Sequence, residues 1–163
     1  MKTTNVLLIL LSSIFLIGCN EDFLSLYSDE LYTSQNLSKL EIKLEHDKKS
    51  PYPLDIIVKL INGTDHNISY PASAVPSKNG LIYSDYFTVI ENGEKVTYSK
   101  PLEQNTTSTN WTSLPAGEIY KVHVSIDKNY KLKKGNNKYA IIFGSEDNPY
   151  LVSKTLTTKA YIK

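Results

Sequence analysis

The sequence predicts an all-β chain, a single antiparallel sandwich of about seven or eight short strands behind an apolar leader and a short tether. Three observations predict it. From Leu40 onward apolar residues recur with a period of two, the spacing that lays one face of a strand against a core. Turn residues divide the apolar runs at short intervals, with Asn-Gly at 62–63 and again at 92–93. No long amphipathic helix pattern follows residue 36.

The leader comes first. Lys2 gives it one positive charge, and residues 6–17 are apolar apart from Ser12 and Ser13. This run is shorter than the roughly 20 apolar residues of a membrane-spanning helix, and it fits the apolar segment of a secretory signal. It ends in Leu16-Ile17-Gly18-Cys19, which holds the only cysteine. A signal peptidase must approach the backbone before the cysteine closely, and Gly18 leaves room for it. The Cys19 thiol is the group that takes a diacylglyceryl thioether.

This stretch resembles the lipobox of bacterial lipoproteins. The resemblance implies cleavage between Gly18 and Cys19, lipidation of Cys19, and a membrane partner that is lipid rather than a protein helix. Two or more acyl chains anchor a protein stably, at about 0.8 kcal/mol per buried methylene. In Gram-negative lipoproteins an Asp after the cysteine commonly marks retention in the inner membrane. Asn20 stands there instead, which points to the outer membrane, on its periplasmic face or at the cell surface. The chain then divides into a leader (1–18), a lipidated cysteine with its tether (19–36) and a β-sandwich domain (37–163). As a flexible coil the tether spans roughly 20–25 Å. Phe23, Leu24, Tyr27, Leu31 and Tyr32 also recur at nearly helical spacing within it.

All 18 basic residues are lysine, and Lys2 falls in the leader, so the remaining chain carries as many lysines as acids. It lacks the bidentate forks of arginine and reads as having no basic block, which argues against nucleic acid as a partner. One cysteine excludes an internal disulfide, so stability rests on core packing.

The strands follow in order. Leu40, Ile42 and Leu44 alternate with charged residues. Residues 54–61 form a denser apolar run closed by Asn62-Gly63, a pair that tolerates positive φ. Residues 68–70 make a short strand stopped by Pro71, and 71–80 read as loop. The runs 86–90 and 95–98 flank Asn92-Gly93 and predict a hairpin. Residues 99–113 are polar and include Trp111, the longest irregular stretch. Residues 114–118 are a turn. Tyr120, Val122, Val124 and Ile126 alternate with Lys121, His123 and Ser125, and the last two strands fall at 138–143 and within 152–162.

Several of these residues stand in a familiar order. Phe87-Thr88-Val89, Asn92-Gly93, Val96 and Tyr98 come first. Leu114-Pro115-Ala116-Gly117-Glu118, Tyr130-Lys131-Leu132 and Tyr139-Ala140-Ile141-Ile142-Phe143 follow. Their order is similar to the N-terminal immunoglobulin-like β-sandwich domain of deuterolysin-type and peptidyl-Lys metalloendopeptidases, over residues 37–162. The catalytic part of that family is missing: no His-Glu-x-x-His occurs in the sequence. Lys100 stands where the family often has glycine, and Gly135 lies four residues before Tyr139. The resemblance implies an immunoglobulin-like fold without zinc chemistry. It also suggests a partner, a secreted metallopeptidase that the domain binds or restrains.

No residue pattern specifies catalysis, a metal or a cofactor. His46, His66 and His123 show no ligand spacing, and there is no nucleophile elbow. Trp111, with Tyr98 and Tyr120, forms the candidate contact surface, because exposed aromatic residues anchor interfaces; for a lone tryptophan the competing reading is a core plug. The sequence therefore reads as a lipid-anchored, non-enzymatic binding module. Two readings stand beside it: an enzyme whose site is assembled across loops around His66, His123 or Trp111, and a purely structural envelope lipoprotein.

Overall fold

Period-two alternation becomes alternating burial in the structure. In β1 (Leu40–His46), Leu40 and Ile42 are buried while Glu41, Lys43 and Glu45 face solvent. In β2 (Asp55–Asn62), Ile56, Val58 and Leu60 are fully buried. A computed structural model describes residues 37–82, 84–99, 110–144 and 151–163, all within the compact unit Ser34–Lys163. The leader, Cys19 and the tether lie outside the described residues.

Seven further strands follow: β3 (Ile68–Pro71), β4 (Phe87–Glu91), β5 (Glu94–Lys95), β6 (Trp111–Leu114), β7 (Ile119–Ser125), β8 (Gly135–Phe143) and β9 (Leu156–Ile162). They form three antiparallel sheets, ordered β1-β2-β7, β3-β6 and β5-β4-β8-β9. The chain is all-β, as its sequence predicts, with more strands than expected among the described residues. One of the extra strands, β6, arises where an irregular stretch is expected. Trp111-Thr112-Ser113 pairs with Ser69-Tyr70-Pro71, and Pro71, placed last in β3, closes that strand rather than preceding a loop.

Inward side chains of the two larger sheets share one hydrophobic cluster. Ile56, Val58, Val122 and Val124 come from one sheet, and Phe87, Val89, Ile141 and Phe143 from the other. Phe143 packs edge-on to Phe87 at 5.3 Å between ring centres and stacks on Tyr86 at 5.9 Å. Burying each such side chain contributes about 1.5–3 kcal/mol.

The two Asn-Gly pairs do different work. Asn92 (φ 51°) and Gly93 (φ 95°) both adopt the left-handed conformation that a tight β4–β5 hairpin needs. Asn62 and Gly63 do not, because neither has positive φ. Asn62 is instead fully buried and acts through its side chain. Its amide nitrogen lies within 3.0 Å of the carbonyls of His66, Leu114 and Pro115, and its Oδ1 accepts from Thr64 N and Thr64 Oγ1. It thereby ties the loop after β2 to the end of β6.

Candidate functional site

Strand β4 ends on a buried acid. The alternation that faces Phe87 and Val89 inward does the same to Glu91, which is 2% exposed. A buried carboxylate needs donors, and two elements bring them. Tyr139, opposite Glu91 in β8, donates its hydroxyl to Oε1 at 2.9 Å. Lys133 N, on the connection from β7 to β8, lies 3.0 Å from Oε1 and 3.3 Å from Oε2. Burial first, and then the Glu91 carboxylate, push the Tyr139 hydroxyl up to about 12.

That connection crosses the hairpin. Tyr98 and Tyr130 form an antiparallel bridge with their rings 5.4 Å apart, and Lys131 N donates to Thr97 O at 3.2 Å. Tyr130 anchors the crossing: its hydroxyl donates to Asp85 Oδ1 at 2.5 Å and accepts from Phe87 N at 3.2 Å. A shallow groove of about 150 Å³ remains between the hairpin and the crossing segment. Glu91 lies in its lining, with Glu94, Lys95, Thr97, Lys131 and Lys133 around it.

The groove lining carries three lysines against two acids. Glu91 is occupied by its two donors, and Glu94 is held by Lys133 Nζ at 2.6 Å. That hydrogen bond holds the Glu94 carboxyl below its usual range and raises the Lys133 ammonium. Among the described residues Lys95 and Lys131 have no acidic partner. The whole-chain charge balance therefore hides a local excess, which corrects the expectation that no basic block exists. Residues 128–138 hold five lysines and no acid. Lys138 and Lys159 stand directly opposite each other on β8 and β9, a like-charge pairing that costs stability. The lysine row Lys43–Lys59–Lys121 on the first sheet differs, because Glu41 and Glu45 pair with Lys43 and Lys59. The groove can hold an anionic group between ammonium groups and the Thr97 hydroxyl.

The aromatic candidates lie in three different pairings. Trp111 is opposite Pro71 on β6 and 44% exposed, so it is not a core plug. Tyr98 is opposite Tyr130 and donates its hydroxyl to Ile82 O at 3.3 Å. Tyr120 is opposite Leu60 and donates to Pro76 O at 2.9 Å. Both tyrosines spend their hydroxyls on loop carbonyls. The three histidines have separate neighbours: Thr158 for His46, Asp65 for His66 and Asp47 for His123. Among the described residues no three His, Cys, Asp or Glu side chains form a metal-ligand cluster, and no helix is long and apolar enough to cross a membrane. Gly18 and Cys19 lie outside the described residues.

The groove is not legible in the sequence. Its one visible signal was the acid-free lysine run. Nothing local to Glu91 says that Lys133 will cross it. No protein-family model and no curated protein matches the chain.

Proposed function

We propose that this chain is a lipid-anchored, non-enzymatic binding module of the cell envelope. In this reading Cys19 holds an immunoglobulin-like sandwich at the outer membrane, and the lysine-lined groove takes an acidic segment of a partner protein. The observation that carries the binding role is the pairing pattern of the groove: its acids are already occupied, while Lys95 and Lys131 are not.

The fold part of the proposal is supported by strand order. An immunoglobulin-like sandwich sets strands A, B, E and D in one sheet and C, F and G in the other, and its variable type adds C′ and C″. The orders β1-β2-β7 and β5-β4-β8-β9 correspond to A-B-E and C′-C-F-G. The anchor rests on the lipobox-like Leu16-Ile17-Gly18-Cys19. The sequence likeness to a metalloendopeptidase N-terminal domain makes an acidic surface of a secreted peptidase the first partner to try.

A fluorescein-labelled poly-glutamate peptide probes the groove. Wild-type protein is expected to bind it at low salt, with affinity falling as ionic strength screens the charges. Lys95→Glu combined with Lys131→Glu is expected to weaken binding at least tenfold. Equal affinity in the variant would remove the groove from the proposal.

A further inference from the structure

Among the described residues three buried side-chain atoms lack any hydrogen-bond partner: Asp55 Oδ1, Asp127 Oδ1 and Asn129 Oδ1. All three are acceptors, and all three belong to one corner of the fold. Asp55 opens β2 directly opposite Ser125, the last residue of β7. Ile126 N donates to Leu54 O, closing the pair of strands. The chain then turns, with Asn129 N and Tyr130 N both donating to Ile126 O. Asn129 folds back over this turn and donates its amide to Ser125 O at 2.7 Å, and Asp127 sits within it.

Asp127 is half-buried, and the backbone N–H groups of Asp127 and Lys128 serve its carboxyl without reaching Oδ1. The neighbouring side-chain donors are committed elsewhere. Ser50 Oγ donates to the other oxygen of Asp55. Lys128 places its ammonium 3.6 Å from the centre of the Tyr52 ring. His123 and Lys49 N engage the Asp47 carboxylate. Asp55 is 8% exposed and Asn129 5%, so bulk water does not supply the missing partner. Burial first, and then the Asp55 charge, hold the Asp127 carboxyl above its ordinary range.

Buried acceptors without donors are costly, and two carboxylates close together need a counter-charge or a proton. One shared proton serves at most two oxygens. A cation serves all three and neutralises both charges. We propose that Asp55, Asp127 and Asn129 bind a hard divalent cation, calcium first, with water completing its shell. Calcium takes 6–8 oxygen ligands in a flexible geometry. Three protein oxygens with one amide among them suit the weak affinity of extracellular modules, roughly 10⁻⁴–10⁻³ M. The bound ion would join the loop before β2 to the turn after β7.

The test uses the full chain in detergent micelles, stripped with EDTA and dialysed. Calcium chloride is added at constant ionic strength while calorimetry counts sites and thermal unfolding gives Tm. The expected result is one calcium per chain and a Tm that rises with calcium concentration, as for any ligand that binds only the folded state. Asp127→Asn, which keeps shape and removes one charge, is expected to weaken calcium binding at least tenfold. Asn129→Ala is expected to weaken it too, and serves should Asp127→Asn fail to fold. A wild-type Tm unmoved by 10 mM calcium or magnesium would overturn the proposal. So would an Asp127→Asn protein that binds calcium as tightly as wild type. A calcium-insensitive wild type that Asp127→Asn stabilises would show a shared proton in place of the cation.

Discussion

The Tyr139 hydroxyl donates to the Glu91 carboxylate at 2.9 Å, at the point where the β7–β8 connection lays Lys133 N against the same oxygen. Glu91 thus holds the hairpin, the closing strand and the lysine segment together. Tyr139→Phe removes one of two donors and leaves a buried carboxylate half served. The expected cost is about 1–3 kcal/mol, read as a lower urea midpoint. Glu91→Gln keeps the shape and loses the charge. A double-mutant cycle between the two sites should show strong coupling, and additive effects would contradict it.

Alkaline stability should reflect the buried phenols. Burial pushes Tyr70 and Tyr139 up to about 12, and Tyr130, buried and bonded to Asp85, higher still. In the unfolded chain these groups ionise near pH 10, roughly. A folded pKa above the unfolded one contributes stability that is fully present below about pH 10 and lost as pH rises toward 12. Absorbance at 295 nm should show a late-titrating group of tyrosines that ionise together with unfolding. A single titration near the ordinary value for all tyrosines would contradict the burial described.

Gly80 should resist substitution. It has φ +76°, and a Cβ there would collide with the His123 carbonyl oxygen. Gly80→Ala is expected to destabilise by about 2–4 kcal/mol. Gly63 meets nothing and has no positive φ, so Gly63→Ala should stay within about 1 kcal/mol. Urea unfolding of the two variants side by side reads the difference.

Asn62→Asp isolates what the amide does. The substitution keeps the acceptor for Thr64 and loses the donor that serves three carbonyls, while burying a charge. Its expected cost is about 3 kcal/mol or more at neutral pH. A midpoint close to wild type would mean that the loop does not depend on this side chain.

Much of the fold was legible in the chain because period-two burial is a local property. Leu40–His46 and Ile119–Ser125 carry their pairing face in their own sequence. Asn92-Gly93 specifies its hairpin by the backbone preference of its own two residues, and the Asn92 side chain adds hydrogen bonds to Asn137 and Lys138. Asn62-Gly63 misled for the same reason in reverse: its role depends on carbonyls at 114 and 115, which local chemistry cannot reveal. Trp111 read as loop because β6 is short and its register comes from Pro71. The candidate site was the least legible part. Glu91, Tyr139 and Lys133 are far apart along the chain, and only the crossing of the β7–β8 connection brings them together. Asp55 stands within the apolar run 54–61, and its significance comes from Asp127 and Asn129.

Cys19 carries the proposed lipid anchor. Labelled palmitate supplied to the native cells should enter the wild-type protein and stay with the membrane fraction, and mass spectrometry should find a diacylglyceryl-modified Cys19 as the first residue. Cys19→Ser should abolish both the label and the cleavage after Gly18. Palmitate entering the Cys19→Ser protein as in wild type, or a wild-type N-terminus elsewhere, would contradict the lipid anchor.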